Sequence, residues 1–215
     1  MTAAIELGDL HRRFGRKRVL RGIDLTVARG SCLVLTGDNG AGKTTLLRIL
    51  ATLLRPSKGR VTIDGLSVAE DADRIRGRLA YVSARGFVYD DLTAVENLRF
   101  GARLAGVAIT DEALKRILRT AGLGDATDQP VRSFSTGMRR RLALSALELR
   151  PLDLALIDEP YAGLDGDGTA LVDRIVSDLL RAGTTVVLAS HQAGEATRRA
   201  DRTVRVVDGR LREVA

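Results

Sequence analysis

Tryptophan is absent from the 215-residue sequence, and aromatic side chains make up only 3% of it. Surfaces that grip nucleic acid interleave aromatic rings with basic groups. No such stripe is present, which speaks against nucleic acid as a partner. Cysteine is almost absent too: the lone Cys32 cannot close a disulfide within the chain, and this suits a reducing compartment. Its place in the apolar run Cys32-Leu33-Val34-Leu35 marks it as a packed core thiol, not a nucleophile. No stretch approaches the roughly 18 uninterrupted apolar residues that a membrane span needs. The opening residues Met1-Thr2-Ala3-Ala4-Ile5-Glu6 lack the basic segment and long apolar run of a secretory signal. Attachment to a membrane therefore requires a partner chain. There are two histidines, and His11 has no companion residues that would give it a role.

What remains is an ordinary globular balance, 45% hydrophobic and 28% charged, in a length that suits one compact unit of one or two subdomains. There is no internal repeat and no low-complexity linker. Apolar runs rich in β-branched residues alternate with helical patterns, the signature of an α/β layer fold. Three of those runs share one feature. Ser31 to Thr36 leads into Gly37, Leu154 to Ile157 into Asp158 and Glu159, and Thr185 to Ser190 into His191. Open α/β sheets bind ligands at the carboxyl ends of their strands, so the three runs point to one site. From Thr93 to Arg150 the pattern turns helical. Thr93-Ala94-Val95-Glu96 has the form of a capping box, Thr110-Asp111-Glu112 starts a second helix, and a third runs from about Thr136 and stops before Pro151.

The segment Gly37-Asp38-Asn39-Gly40-Ala41-Gly42-Lys43-Thr44-Thr45 has the spacing of a phosphate-binding loop. Its glycines allow close backbone approach, its amides point at phosphates, and the following helix, with Leu46, Leu47, Leu50, Leu53 and Leu54 on one face, adds its positive end. Lys43 is placed to reach the β- and γ-phosphates and the Thr44 hydroxyl to hold magnesium. Asp158, at a strand end, organises the metal shell, and Glu159 is placed to polarise an attacking water. ATP and Mg2+ are the implied ligands. The net charge of +7, clustered at Arg12-Arg13, Arg16-Lys17-Arg18 and Arg139-Arg140-Arg141, then reads as the solvated face of a protein that handles a polyanion.

With these residues in place the chain resembles the ABC ATPase family along nearly its whole length. Ser133-Phe134-Ser135-Thr136-Gly137-Met138 resembles the family's signature motif, in a form ending in Met where Gln is usual. The resemblance implies that Ser135, Thr136 and Gly137 bind the γ-phosphate of ATP held by an opposite subunit. Ala162-Gly163-Leu164-Asp165 resembles the loop that communicates between the two sites of a dimer, and His191 the switch histidine at the γ-phosphate. Phe14 resembles the aromatic that stacks on adenine, with a core position as the competing reading. The implied fold is α/β: a P-loop NTPase (RecA-like) core over about 1–84 and 151–215, a helical subdomain over about 85–150, and a small N-terminal antiparallel β portion. The whole reads as one nucleotide-binding domain.

Two departures stand out. The family's metal-contacting Gln at the join between core and helical part falls on Ala84, within Tyr81-Val82-Ser83-Ala84-Arg85-Gly86-Phe87. Alanine cannot coordinate a metal, so either water fills the gap, or Ser83 or Arg85 substitutes, or hydrolysis is slow or differently coupled; the expectation is a weakened link between metal and partner. Asp38 replaces a common Pro and either repels phosphate or points to solvent.

The resemblance implies a homodimer or heterodimer that clamps two ATP molecules and drives integral membrane subunits from the cytoplasmic face of the membrane. Within the family, Thr93-Ala94-Val95-Glu96-Asn97-Leu98-Arg99-Phe100 and Arg103-Leu104-Ala105-Gly106-Val107 look like the ATPase of the heme exporter of cytochrome c maturation. Another bacterial exporter, of drug or antibiotic type, and a soluble ATPase of iron–sulfur cluster assembly are the alternatives.

Overall fold

The structure is a computed structural model that describes residues 2–83, 88–191 and 197–214. Segment 84–87, and with it the expectations for Ala84 and Arg85, lies outside the described residues. The chain divides into two compact units.

The first unit comprises Met1–Tyr81, Leu152–Pro160 and Leu179–Ala215. It opens with two long antiparallel strands, β1 (Ala3–Phe14) and β2 (Lys17–Ala28). Side chains alternate across a strand, so Ile5, Leu7 and Leu10 of β1 and Leu20, Ile23, Leu25 and Val27 of β2 all turn inward. After β3 (Cys32–Thr36) and helix α1 (Lys43–Leu50), strands β4 (Lys58–Ile63) and β5 (Leu66–Ser67) join the opening pair. The result is a four-stranded antiparallel sheet in the order β2-β1-β4-β5, in which β4 pairs along β1 from Ile5–Ile63 to His11–Lys58.

A short helix α2 (Ala72–Arg76) leads to β6 (Leu79–Val82). With β7 (Leu154–Asp158), β8 (Thr185–Ala189), β9 (Arg202–Val207) and β10 (Arg210–Glu213), β3 and β6 form a six-stranded sheet ordered β10-β9-β3-β8-β7-β6. The central β3, β7 and β8 are parallel and buried at every residue. Continuous Val/Leu/Ile runs are what a parallel strand covered on both faces requires. Helix α1 packs on β2, β7 and β8 through Leu46, Leu47, Ile49 and Leu50, which join Leu20, Leu35, Leu156 and Val187 in one core. Each such leucine contributes about 2 kcal/mol by leaving water.

The second unit comprises Val82–Pro151 and Tyr161–Asp178, so it takes in the segment after Glu159 as well as the helical stretch. Helix α3 (Ala94–Leu104) begins with the expected capping box: the Glu96 amide donates to the Thr93 hydroxyl while the Glu96 carboxylate accepts from the Thr93 amide. Helix α4 (Asp111–Thr120) is capped by Thr110, and α5 (Thr136–Ser145) by Ser135. The third helix is shorter than its sequence pattern: after Ser145 it tightens to a 3-10 turn, Ala146–Glu148, short of Pro151. Leu98, Ala102, Leu114, Leu118, Val131, Phe134 and Leu142 are buried here. Most of the next helix, α6 (Gly166–Arg181), belongs to this unit, where Tyr161 donates to the Asp173 carboxylate at 2.8 Å. Among the described residues no helix is long and apolar enough to cross a membrane.

Candidate nucleotide site

The three strand ends expected to share a site are neighbours: β3, β8 and β7 lie side by side and deliver Gly37, His191 and the Asp158-Glu159 pair at one edge of the sheet. At the end of β3 the chain turns at Gly37 with φ 137°, and a Cβ there would stand 2.5 Å from the Val206 carbonyl oxygen of β9. Gly42, the residue before α1, has φ 119° and leaves only 2.8 Å between a would-be Cβ and the Leu20 side chain. Both positions therefore exclude side chains by conformation and by space. Between them Asp38, Asn39 and Gly40 are exposed and Ala41 half-buried. The Asp38 carboxylate points to solvent, 89% exposed and 3.5 Å from the Arg205 guanidinium, so water and that cation screen its charge.

Lys43 opens α1 and is 5% exposed. Its ammonium donates to the Gly37 carbonyl at 2.6 Å and the Asp38 carbonyl at 3.3 Å, and lies 3.6 Å from Glu159 Oε1. Buried charge persists only when partnered in this way. Thr44 Oγ1 donates to Asp158 Oδ2 at 2.8 Å, joining the loop to the end of β7; Asp158 is 1% exposed, and Thr45 follows half-buried. Glu159 adopts a left-handed backbone, φ 51°, rare for a side chain of this size, and its amide donates to the Ala189 carbonyl of β8 at 2.7 Å. That kink turns its carboxylate to His191, whose Nδ1 lies 2.7 Å and whose amide lies 3.2 Å from Glu159 Oε2. Since a carboxylate only accepts, Nδ1 carries the proton. Lys43, Glu159 and His191 thus form one chain of contacts, beside which stand Thr44 and Asp158.

Phe14 ends β1, 47% exposed, with the Arg12 guanidinium 4.5 Å above its ring. It is a surface aromatic and not a core residue. Cys32 is wholly buried, and burial pushes its thiol up to about 12, which leaves it inert.

In the second unit, the Met138 amide donates to the Ser135 hydroxyl at 3.2 Å, so Ser135, Thr136 and Gly137 open α5 at its positive end. Gly163 lies close, its carbonyl oxygen 3.8 Å from where a Gly137 Cβ would be. Asp165 caps α6: its Oδ1 accepts from the Gly168 amide at 2.8 Å and from Arg141 at 2.5 Å, and these donors hold its carboxyl below the usual carboxylate range. The Arg141 contact was not expected from sequence. Arg139-Arg140-Arg141, a mere charge cluster on paper, points three ways: Arg139 to Asp90, the buried Arg140 to the Ser83 carbonyl at 2.8 Å, and Arg141 to Asp165.

A glycine loop between a buried strand and a helix, facing acidic strand ends of a parallel sheet, defines a P-loop nucleoside triphosphatase. Comparison with known proteins narrows the class. Residues 20–162 match the ABC transporter family. The chain is 39% identical over 191 residues to the cytochrome c biogenesis ATP-binding export protein CcmA 2 of Cupriavidus metallidurans, covering 88% of this chain and 90% of that one. It is also 39% identical over 212 residues to the daunorubicin/doxorubicin resistance ATP-binding protein DrrA of Streptomyces peucetius, covering 98% of this chain but only 64% of that protein's length. A solved ATP-binding subunit of an ABC transporter superposes with a TM-score of 0.88 at 27% identity, over 97% of this chain and 88% of that one. The chain belongs to the ABC transporter family, as an ATP-binding subunit with ATPase activity.

Proposed function

We propose that the chain is one nucleotide-binding domain of an exporter, that it pairs with a second such chain around two ATP molecules, and that it works from the cytoplasmic face of the membrane on separate integral membrane subunits. The observation that carries this reading is the contact chain Lys43–Glu159–His191 beside the Thr44–Asp158 pair. Phosphates fit the Gly37–Thr45 loop, where the start of α1 favours negative charge. To meet them, Lys43 exchanges its carbonyl partners and Glu159 for the β- and γ-phosphates.

Thr44 and Asp158, a hydroxyl and a carboxylate 2.8 Å apart, are the hard oxygen donors that magnesium selects, and they are the residues that would hold it. Among the described residues no cluster of three His, Cys, Asp or Glu exists, which fits an ion held by one or two protein oxygens together with phosphates. The chemistry such an ion would supply there is neutralisation of phosphate charge.

Glu159, freed from Lys43, polarises the attacking water, while His191 holds its carboxylate through Nδ1 and turns the rest of the ring toward the γ-phosphate. Phe14 offers its ring to adenine. Ser135, Thr136 and Gly137, at the positive end of α5, serve the ATP of the opposite chain, and Asp165 carries that engagement between the sites. Ala84, in place of a metal-contacting Gln, weakens the link from metal to membrane partner.

The cargo we propose is heme for cytochrome c maturation, supported by the 39% identity that extends across 90% of a cytochrome c biogenesis export protein. Export of a drug-like molecule is the second reading, favoured by equal identity over a longer stretch of a daunorubicin resistance protein. Affinity capture of the tagged chain from gently solubilised native membranes, read by mass spectrometry, separates them. A polytopic subunit of a heme exporter supports the first reading, and a drug-export permease the second. Soluble iron–sulfur scaffold proteins with nothing from the membrane would overturn both.

A further inference from the structure

Beside the nucleotide site lies a dense run of positive charge, of which Lys17 and Arg18 border the cleft of the Gly37–Thr45 loop. Residues 10–23 hold Arg12, Arg13, Arg16, Lys17, Arg18 and Arg21 and no acid. In the β1–β2 ladder Arg13 stands directly across from Arg18, a like-charge pairing that destabilises a sheet. Neither arginine has an ion pair among the described residues. Beside them opens a cavity of about 340 Å3, a volume within the range of small-molecule sites. Arg12, Arg13 and Arg18 line it with Lys58, His11 and Ser57, over a floor formed by the buried Leu20. Among the described residues no acid lines it, and Asp9, which pairs with two of the lining residues, is engaged by Lys58 at 2.8 Å and His11 at 2.7 Å. Arg12 Nε is buried there without a hydrogen-bond partner. Ser57 Oγ accepts from the Arg13 amide at 3.2 Å and keeps its own proton to donate. No residue of the Gly37–Thr45 loop lines this cavity, and neither does Phe14.

We infer that this cavity is a second anion site beside the nucleotide site, sharing Arg18 with the cleft that Asp38, Asn39, Gly40 and Ala41 line, and that it takes a phosphate-bearing group. Two opposed guanidinium forks match phosphate oxygens, and a bound phosphate cancels the repulsion between Arg13 and Arg18 that the empty hairpin carries. The group comes either from a soluble phosphorylated metabolite or from the headgroup of an anionic lipid.

The probe for the first source is pyrophosphate and for the second phosphatidylglycerol vesicles, both applied to a Lys43→Ala chain so that the P-loop no longer grips phosphate. Titration calorimetry and vesicle flotation are repeated with Arg18→Glu added, and with Arg210→Glu on β10 added as a control of equal charge change. The expected result is binding to the Lys43→Ala chain that falls about tenfold or more with Arg18→Glu and is spared by Arg210→Glu. Pyrophosphate carrying the effect assigns the site to a soluble ligand, and vesicles carrying it assign the site to a headgroup. Arg18→Glu also turns the like-charge pair into an opposite-charge pair, so that chain should melt no lower than its parent; should it fail to fold, Arg13→Gln replaces it. Loss of binding on Lys43→Ala alone, or equal binding by the Arg18 and Arg210 variants, would overturn the proposal.

Discussion

Replacing Glu159 by Gln separates the chemistry of the site from its architecture. The amide keeps the side chain's length, and its oxygen can still accept from His191 Nδ1, 2.7 Å away in the native chain. It can neither take a proton nor balance the Lys43 ammonium at 3.6 Å. A positioned general base contributes about 10²- to 10⁴-fold, so kcat should fall by that factor, equivalent to roughly 3–5 kcal/mol of barrier. Affinity should move the other way. At 3.6 Å the Lys43–Glu159 pair has a gross attraction of roughly 5 kcal/mol at an effective dielectric near 20, and nucleotide must displace it to recruit Lys43. Without that competitor ATP should bind more tightly and stay bound as a trapped dimer. Single-turnover hydrolysis of radiolabelled ATP gives the rate, and equilibrium binding of the same nucleotide the affinity. A Glu159→Gln chain that hydrolyses ATP within threefold of wild type, or that binds it more weakly, would refute the reasoning.

Other consequences are local and cheaper to test. Ser135→Ala removes the cap of α5 and should cost about 1 kcal/mol, a melting shift of roughly 2–4 °C by calorimetry; an unchanged melting temperature would contradict the cap. Asp165 is held below the ordinary carboxylate range by the Gly168 amide and then by Arg141. Its stabilisation is thus present above the unfolded pKa, near 4, and disappears as pH falls through the lower folded value. Asp165→Asn should therefore flatten the acid limb of melting temperature against pH and leave its neutral slope alone. The Cys32 thiol, wholly buried and pushed up to about 12, should resist a thiol reagent until denaturant opens the core; rapid labelling of the native chain would show that β3 is less covered than described.

The parts of this architecture that were legible in the sequence are those encoded by neighbours. Gly37 to Thr45 carries its own turn chemistry, the runs of β3, β7 and β8 announce burial by being apolar throughout, and Thr93 and Glu96 are one helical turn apart. The strand ends that converge on the site were readable for the same reason. The contacts made after folding were not. Glu159 and His191 are 32 residues apart in sequence, and nothing local to Glu159 reveals the left-handed backbone that aims one at the other. Arg141 finds Asp165 across 24 residues, and β4 extends the first sheet through a pairing with β1 that no turn signal announces. Asp38, ambiguous on paper, was decided by orientation alone.

The claim at the centre of the account is that each ATP is enclosed by the P-loop of one chain and the Ser135–Gly137 helix end of another. It is tested most directly by mixing two inactive chains, Lys43→Ala and Ser135→Arg. In a mixed dimer one site collects both defects and the other is intact. Half of the dimers in an equal mixture are mixed, each with one working site of two, so the account predicts recovery of about a quarter of wild-type ATPase activity. A mixture as inactive as its components, with mixed dimers demonstrably formed, would contradict it, as would a Ser135→Arg chain that hydrolyses ATP normally by itself.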